Sequence, residues 1–203
     1  LLAHEVGAGK TYTVIAGLML KKQAGLCQKP MIAIPNHMLD DWTKAFYTLF
    51  PNANILVTTK KEFEANTRKR FISRIDTGDY DAVIITHSQF ERIPMSPEYQ
   101  SKVIQEEIAD IQLALDTSGE HTYSVKRLEK QKASLEAKFA KMAAEGRKDD
   151  TLYFDQLGID SLAIDEAHNY KNCFVYTKLN NVAGMLTSRA DKSFDLSMKM
   201  RYI

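Results

Sequence analysis

The chain reads as an open α/β fold, a parallel sheet with helices on both faces, and three observations predict it. Met31-Ile32-Ala33-Ile34, Ala82-Val83-Ile84-Ile85-Thr86 and Ser161-Leu162-Ala163-Ile164 are short unbroken apolar runs, as expected of strands buried on both faces. Segments with apolar residues at helical spacing separate them. Each run also ends in a polar or Gly-rich turn, and in such sheets ligands bind beyond the carboxyl ends of the strands.

Taken in order, Leu1-Leu2-Ala3 reads as the end of a strand that leads into the polar, Gly-rich His4 to Thr11. Thr11 to Lys22 then carries Val14, Ile15, Leu18 and Met19 on one helical face, and Ala24-Gly25 ends it. The run 31–34 stops at Pro35-Asn36-His37, after which Met38, Leu39, Trp42, Phe46 and Leu49 recur at helical spacing up to Pro51. Trp42 reads as a core anchor of that helix rather than a base-stacking platform. Asn54 to Thr58 is the next strand. Lys61 to Ile75 follows as a basic helix with Arg68, Lys69, Arg70 and Arg74, a solvated face first and a DNA-backbone contact second. Asp79-Tyr80-Asp81 introduces the run 82–86, which ends in His87-Ser88.

Residues 98–148 form a detour between the last two strands. Ile104, Ile108, Ile111 and Leu115 make one helical stripe, and Val125, Leu128, Leu135, Phe139 and Met142 a second, with Asp116-Thr117-Ser118-Gly119 between them. Residues 98–120 carry six acids and one Lys, a net of −5; residues 121–148 carry eight bases and three acids, a net of +5. Opposite charge and a Gly-containing turn predict an antiparallel helical hairpin inserted into a lobe made of 1–97 and 149–203. The hairpin reads as a spacing insertion whose charges answer each other, with an arm that touches DNA or a protein partner as the alternative. After His168 comes an irregular polar stretch through Gly184, then a helix built on Phe194, Leu196, Met198 and Met200.

Composition narrows the function classes. With 27 basic and 26 acidic residues the net charge is +1, so any nucleic-acid surface must be local. No apolar run approaches 18 residues, which leaves no candidate membrane span. Cys27 and Cys173 have neither C-x-x-C spacing nor zinc-type His partners, and they read as reduced structural thiols of a cytosolic-type compartment. The absence of an initiating Met suggests a piece of a longer protein.

Two stretches carry chemistry. Gly7-Ala8-Gly9-Lys10-Thr11 has the Gly-x-Gly-Lys-Thr order of a phosphate-binding loop. Glycines let consecutive N–H groups curl toward a phosphate, the helix start adds a favourable field, Lys10 reaches the β/γ-phosphates and Thr11 offers a hydroxyl to magnesium. The full pattern has Gly at its first position, where this chain has His4. Far downstream, Ile164-Asp165-Glu166-Ala167-His168 delivers two acids from a strand end, with Asp165 placed to hold magnesium and Glu166 to orient an attacking water. A solvated strand exit is the bland reading of the acids alone. Both motifs in one chain point to nucleotide hydrolysis.

With these residues assembled, the chain resembles the first RecA-like half of superfamily-2 helicases, most closely the Swi/Snf-like branch of DNA translocases. The likeness is carried by Gly7-Ala8-Gly9-Lys10-Thr11 (motif I, the Walker A loop), Ile34-Pro35 with Leu39 and Trp42 (motif Ia), Thr86-His87-Ser88, and Asp165-Glu166-Ala167-His168-Asn169-Tyr170-Lys171-Asn172, which holds the DEAH box. It is also similar to helicase-like segments of large phage and mobile-element proteins that carry a DNA methyltransferase. The resemblance covers nearly the whole chain except the hairpin. It implies a RecA-like P-loop NTPase lobe and an ATPase that binds ATP and Mg2+ and works on DNA with a second RecA-like lobe. Gly7, Ala8, Gly9, Lys10 and Thr11 would bind phosphate, Thr11 and Asp165 magnesium, Glu166 would position water, and His168 would couple nucleotide and DNA sites. DNA-backbone contacts are implied near Pro35, Asn36, Thr86 and His87. The chain departs from the branch at His4, where Asp is usual, and it lacks the following Ser/Thr-Gly-Thr-Pro motif and the second half with its Arg residues. The isolated piece is therefore expected to turn over ATP very slowly. A restriction-system motor lobe and a non-catalytic scaffold with a partner-binding hairpin are the competing readings.

Overall fold

A computed structural model of the chain describes residues 2–58, 67–116, 123–145, 152–171 and 190–203. Four strands, β1 (Pro30–Ile34), β2 (Ile55–Val57), β3 (Ala82–Thr86) and β4 (Ser161–Ile164), form one sheet in the order β2-β3-β1-β4. Every pairing is parallel, with Met31 opposite Val83 and Leu162, and Leu56 opposite Val83. The expected α/β class with an all-parallel sheet flanked by helices is the observed one, and it is compatible with a RecA-like lobe.

Alternation along the strands divides the core in two. Ile32, Ile34, Ala82 and Ile84 face helices α1 (Lys10–Gln23) and α2 (Leu39–Leu49), where Ile15, Leu18, Met19, Trp42 and Phe46 pack on them. Met31, Ala33, Val83 and Ile85 point the other way, onto Phe71, Ile72 and Ile75 of α3 (Arg68–Thr77), Phe90 of the short α4 (His87–Phe90) and Phe194 and Met198 of α7 (Asp191–Tyr202). β1 and β3 are buried along their whole length, which is why they read as unbroken apolar runs. Helix α3 begins at Arg68, and the earlier part of the expected basic helix, 61–66, lies outside the described residues. Its Lys69, Arg70 and Arg74 are exposed while Phe71, Ile72 and Ile75 are buried, the amphipathic arrangement of a solvated helix face.

Helices α5 (Pro97–Asp116) and α6 (Tyr123–Glu145) are the expected hairpin; the turn at 117–122 lies outside the described residues. Lys132 Nζ of α6 donates to Gln112 Oε1 of α5 at 2.7 Å, and their apolar stripes meet. Val103, Ile104 and Ile111 of α5 and Leu135 of α6 belong to the same buried cluster as Val83, Phe90 and Phe154. The base of the hairpin thus shares the core beneath the sheet.

Two expectations need correction. Leu2 and Ala3 are irregular and exposed, and they form no strand. A strand exists only where its backbone finds a ladder partner, and among the described residues β4 pairs with β1 alone. In α7, Met200 does not join the packed face: it is exposed, whereas Phe194 and Met198 are buried.

Candidate nucleotide site at the rim of the sheet

All four strands end at one rim, and the signature residues emerge there. Backbone bonds extend the ladder past the strand ends, with Asp165 N–H donating to Ala33 O at 2.9 Å and Thr58 N–H to Ile84 O at 3.0 Å. Gln89 ties two of these exits together, since its Oε1 accepts the Thr86 N–H at 3.2 Å and the Thr58 hydroxyl.

The glycine loop opens α1. Gly7 and Gly9 have φ of +85° and +75°, left-handed conformations that side-chain-bearing residues rarely adopt, and space for a Cβ is open at both. The turn is closed by Ala8 N–H donating to Glu5 O at 3.3 Å. Gly9 is the N-cap and offers no side chain, and the first helical bond runs from Thr13 N–H to Gly9 O at 3.0 Å. The N–H groups before it are the orphan donors of a helix start, and no acid occupies the first turn. Lys10 folds back so that Nζ donates to His4 O and Glu5 O, each at 2.9 Å. Two of three ammonium protons brace the loop, which leaves the third and the full charge at its mouth. The Thr11 hydroxyl has no hydrogen-bond partner among the described residues.

Across the rim, Asp165 leaves β4 with its carboxylate held by two donors. Oδ1 accepts the N–H of Glu166 at 3.0 Å, and Oδ2 accepts the indole N–H of Trp42 at 3.3 Å. Glu166 has φ of 52° and ψ of 45°, and it is the one non-glycine residue with positive φ among the described residues. Such strain costs about 1–2 kcal/mol and gathers at functional sites. His168 Nδ1 lies 2.8 Å from Glu166 Oε2, and both side chains are more than half exposed. A 3₁₀ turn, Ala167–Tyr170, carries the chain back inward to bury Tyr170.

The other candidates lie along the same rim. Ser88 Oγ donates to Asn36 Oδ1 at 3.0 Å and sits 3.3 Å from Thr86 Oγ1, so the ends of β1 and β3 are hydrogen-bonded to each other. His87 is half-buried, its ring edge-on to Tyr170 at 5.3 Å between centroids, and its Nε2 has no hydrogen-bond partner among the described residues. Burial pushes its pKa below the ordinary imidazole value, against the opposing pull of the Asp165 and Ala33 backbone. Burial and the facing Glu91 carboxylate push the Tyr170 phenol far up.

Helix α1 connects the two halves of the site. Its C-terminal end sits at the opposite edge of the sheet, where Lys21 Nζ bonds Ser161 Oγ at the start of β4 (3.0 Å) and Lys22 Nζ bonds Tyr80 O just before β3 (2.7 Å). The helix therefore runs antiparallel to the strands. Its 14 residues rise about 21 Å. That length returns Gly9 and Lys10 to the side of the sheet from which Asp165 emerges.

Trp42 is the residue whose role the sequence concealed: its burial was legible, its bond to Asp165 was not. A buried indole N–H needs an acceptor, and that need was the available signal. Among the described residues no three His, Cys, Asp or Glu side chains converge, and no helix is long and apolar enough to cross a membrane. Magnesium at phosphates needs no such cage. One or two hard oxygen ligands suffice beside phosphate and water, and the Thr11 hydroxyl with the Asp165 carboxylate is a donor set of that kind.

The chain is similar along its full length to "Defense against restriction protein B" of Escherichia phage P1, with 22% identity over 244 aligned positions that span 11% of the phage protein. It is also similar to "ATP-dependent helicase fft1" of Schizosaccharomyces pombe, with 26% identity over 87 positions, 43% of this chain and 9% of the yeast protein. The chain spans about a tenth of the length of these relatives. The family described as "Probable helicase domain" matches residues 1–203, the entire sequence, and the α/β lobe with its glycine loop and rim acids belongs to that helicase family.

Proposed function

We propose that this helicase-family domain is the N-terminal motor lobe of an ATP-dependent DNA translocase, binding ATP with magnesium and hydrolysing it when a second lobe and DNA complete the site. The observation that carries the reading is the glycine loop: two left-handed glycines, an uncapped helix start and an ammonium braced over the loop carbonyls make a cradle for phosphate. The yeast relative, named as an ATP-dependent helicase, supports nucleotide use.

In this reading the backbone N–H groups of Gly7, Gly9, Lys10 and Thr11 bind the phosphates while the Ala8 N–H keeps the turn closed on Glu5 O, and the third proton of Lys10 bonds a β/γ oxygen. Thr11 and Asp165 hold the magnesium ion, which supplies charge neutralisation on the transferred phosphoryl group. Glu166, freed from His168, accepts a hydrogen bond from water and aims it at the γ-phosphorus. His168, exposed beside Glu166, reports DNA engagement to that carboxylate, and the Asn36, Ser88 and Thr86 rim meets the DNA backbone.

The phage relative, named for defence against restriction, favours a large phage-type parent protein over the motor of a restriction system. Residues 98–148 are then an insertion that braces the lobe.

Binding of a fluorescent ATP analogue by the wild type and Lys10→Ala tests the reading. A charge-assisted bond of about 1.5–3 kcal/mol predicts a loss of roughly 10- to 150-fold in affinity. Equal affinities would remove Lys10, and the motor, from consideration.

A further inference from the structure

We infer that Trp42 is a positioning residue for Asp165: its indole N–H aims the carboxylate, so that helix α2 governs the grip on magnesium. This rests on the nucleotide reading above.

Trp42 stands one turn into α2, 2% exposed, with Ala45 and Phe46 buried beside it on the same helix. Its ring is fixed by packing before any bond is counted. Its N–H reaches across 123 residues of sequence to Asp165 Oδ2. Asp165 is then held at three points, by its own N–H on Ala33 O, by Glu166 N–H on Oδ1 and by the indole on Oδ2. Two donors on the two oxygens stop rotation about the last side-chain bond, which leaves the remaining lone pairs in a fixed direction. The Glu166 N–H belongs to the neighbouring residue in the chain, so it moves with Asp165. Trp42 is the donor that refers the carboxylate to another element.

That element is informative. Helix α2 begins directly after Asn36–Met38, the turn whose Asn36 is bonded to Ser88 at the rim. A displacement of this turn shifts α2, and the indole carries the shift to the carboxylate. A purely space-filling Trp would bury its ring equally well with its N–H on any carbonyl. Here the acceptor is the carboxylate proposed to bind metal.

The experiment separates positioning from packing. Trp42→Phe keeps an aromatic ring in the core and deletes the donor. Partners that orient a metal ligand change metal affinity by about 10–100-fold when removed. We expect Trp42→Phe to bind fluorescent ATP in EDTA as the wild type does, while the Mg2+ concentration that half-saturates the magnesium-dependent gain in affinity rises by at least about 10-fold. An unchanged magnesium midpoint would overturn the inference and leave the nucleotide site standing. A wild type with no magnesium-dependent binding would overturn both.

A second readout follows the indole itself. The chain contains one Trp, so its emission reports the surroundings of this indole and of no other. In a variant whose circular dichroism and urea midpoint match the wild type, Asp165→Asn replaces a charged acceptor by a neutral amide and is expected to shift the emission maximum before any ligand is added. Identical spectra for wild type and Asp165→Asn would show that the indole does not address Asp165.

Discussion

Lys29 offers the most direct test of how the sheet is held in register beneath the rim. Its ammonium donates to Ile75 O at 2.9 Å and Asp76 O at 2.8 Å, both in the last turn of α3, and to Leu157 O at 3.2 Å in the segment before β4. One side chain at the start of β1 thereby ties down a helix end and the approach to the strand that ends in Asp165. The geometry also matches the charge preference of a helix C-terminus. Lys29→Met keeps most of the stem and removes all three donors. The site is part-buried, so water partly replaces the ammonium, and about 1 kcal/mol per lost bond, or about 3 kcal/mol in total, is the appropriate scale. With an unfolding entropy of about 2.1 cal/mol/K per residue over 203 residues, that is a fall in Tm of about 7 °C. Urea unfolding followed by Trp42 emission measures the free energy, and a thermal melt followed by circular dichroism measures the Tm. A variant within about 1 kcal/mol of the wild type would show that solvent serves these carbonyls as well as the ammonium does, and the clamp would be refuted.

Glu166 should separate stability from turnover. Glycine removes the left-handed strain but brings more unfolded-state entropy and loses an exposed pair with His168, so Glu166→Gly is expected to change stability by less than about 1 kcal/mol. In the parent protein both Glu166→Gly and Glu166→Gln should keep ATP affinity and stop DNA-stimulated phosphate release; persisting release from either variant would end the water-positioning role. Lys199 should give a pH signature. It is fully buried, bonded to Phe90 O at 2.9 Å and Asp195 Oδ2 at 2.6 Å, and burial pushes its pKa below the ordinary 10.5 against the pull of Asp195 and Glu91. Between the folded value and 10.5 the unfolded chain holds a proton that the native chain has shed, so stability gains with rising pH in that window. Lys199→Met lacks this gain, and urea midpoints from pH 7.5 to 10 should move in favour of the wild type. Parallel midpoints would show that the burial is relieved by solvent.

What could be read from the sequence was what contiguous residues determine. Ile32 to Ile34 and Val83 to Ile85 announce strands because both faces are covered, and Gly7, Gly9 and Lys10 announce a tight loop because only glycine takes φ near +80° cheaply. The sheet order and the sharing of a core between hairpin and sheet were not readable, since they depend on which distant surfaces meet. Leu2 and Ala3 show the same limit from the other side: apolar character permits a strand, but a partner edge decides it.

The same distinction explains why the acids were found and their support was not. Asp165 and Glu166 follow a strand pattern by one and two residues, so local sequence places them. The donors and strains that define their chemistry come from elsewhere in the fold: Trp42 from a helix 123 positions away, and the left-handed Glu166 from the turn that must bury Tyr170 against His87. A strained residue persists only where its surroundings over-determine it. Tyr170 packed edge-on to His87 anchors one end of that turn, and Asp165 N–H on Ala33 O anchors the other. Glu166 thus lies between two anchors, Asp165 on β1 and Tyr170 on His87 at the start of α4, and a displacement of either is expected to reach it through these neighbours. In the proposed motor, contact with DNA at Asn36 and Ser88 is the source of such a displacement.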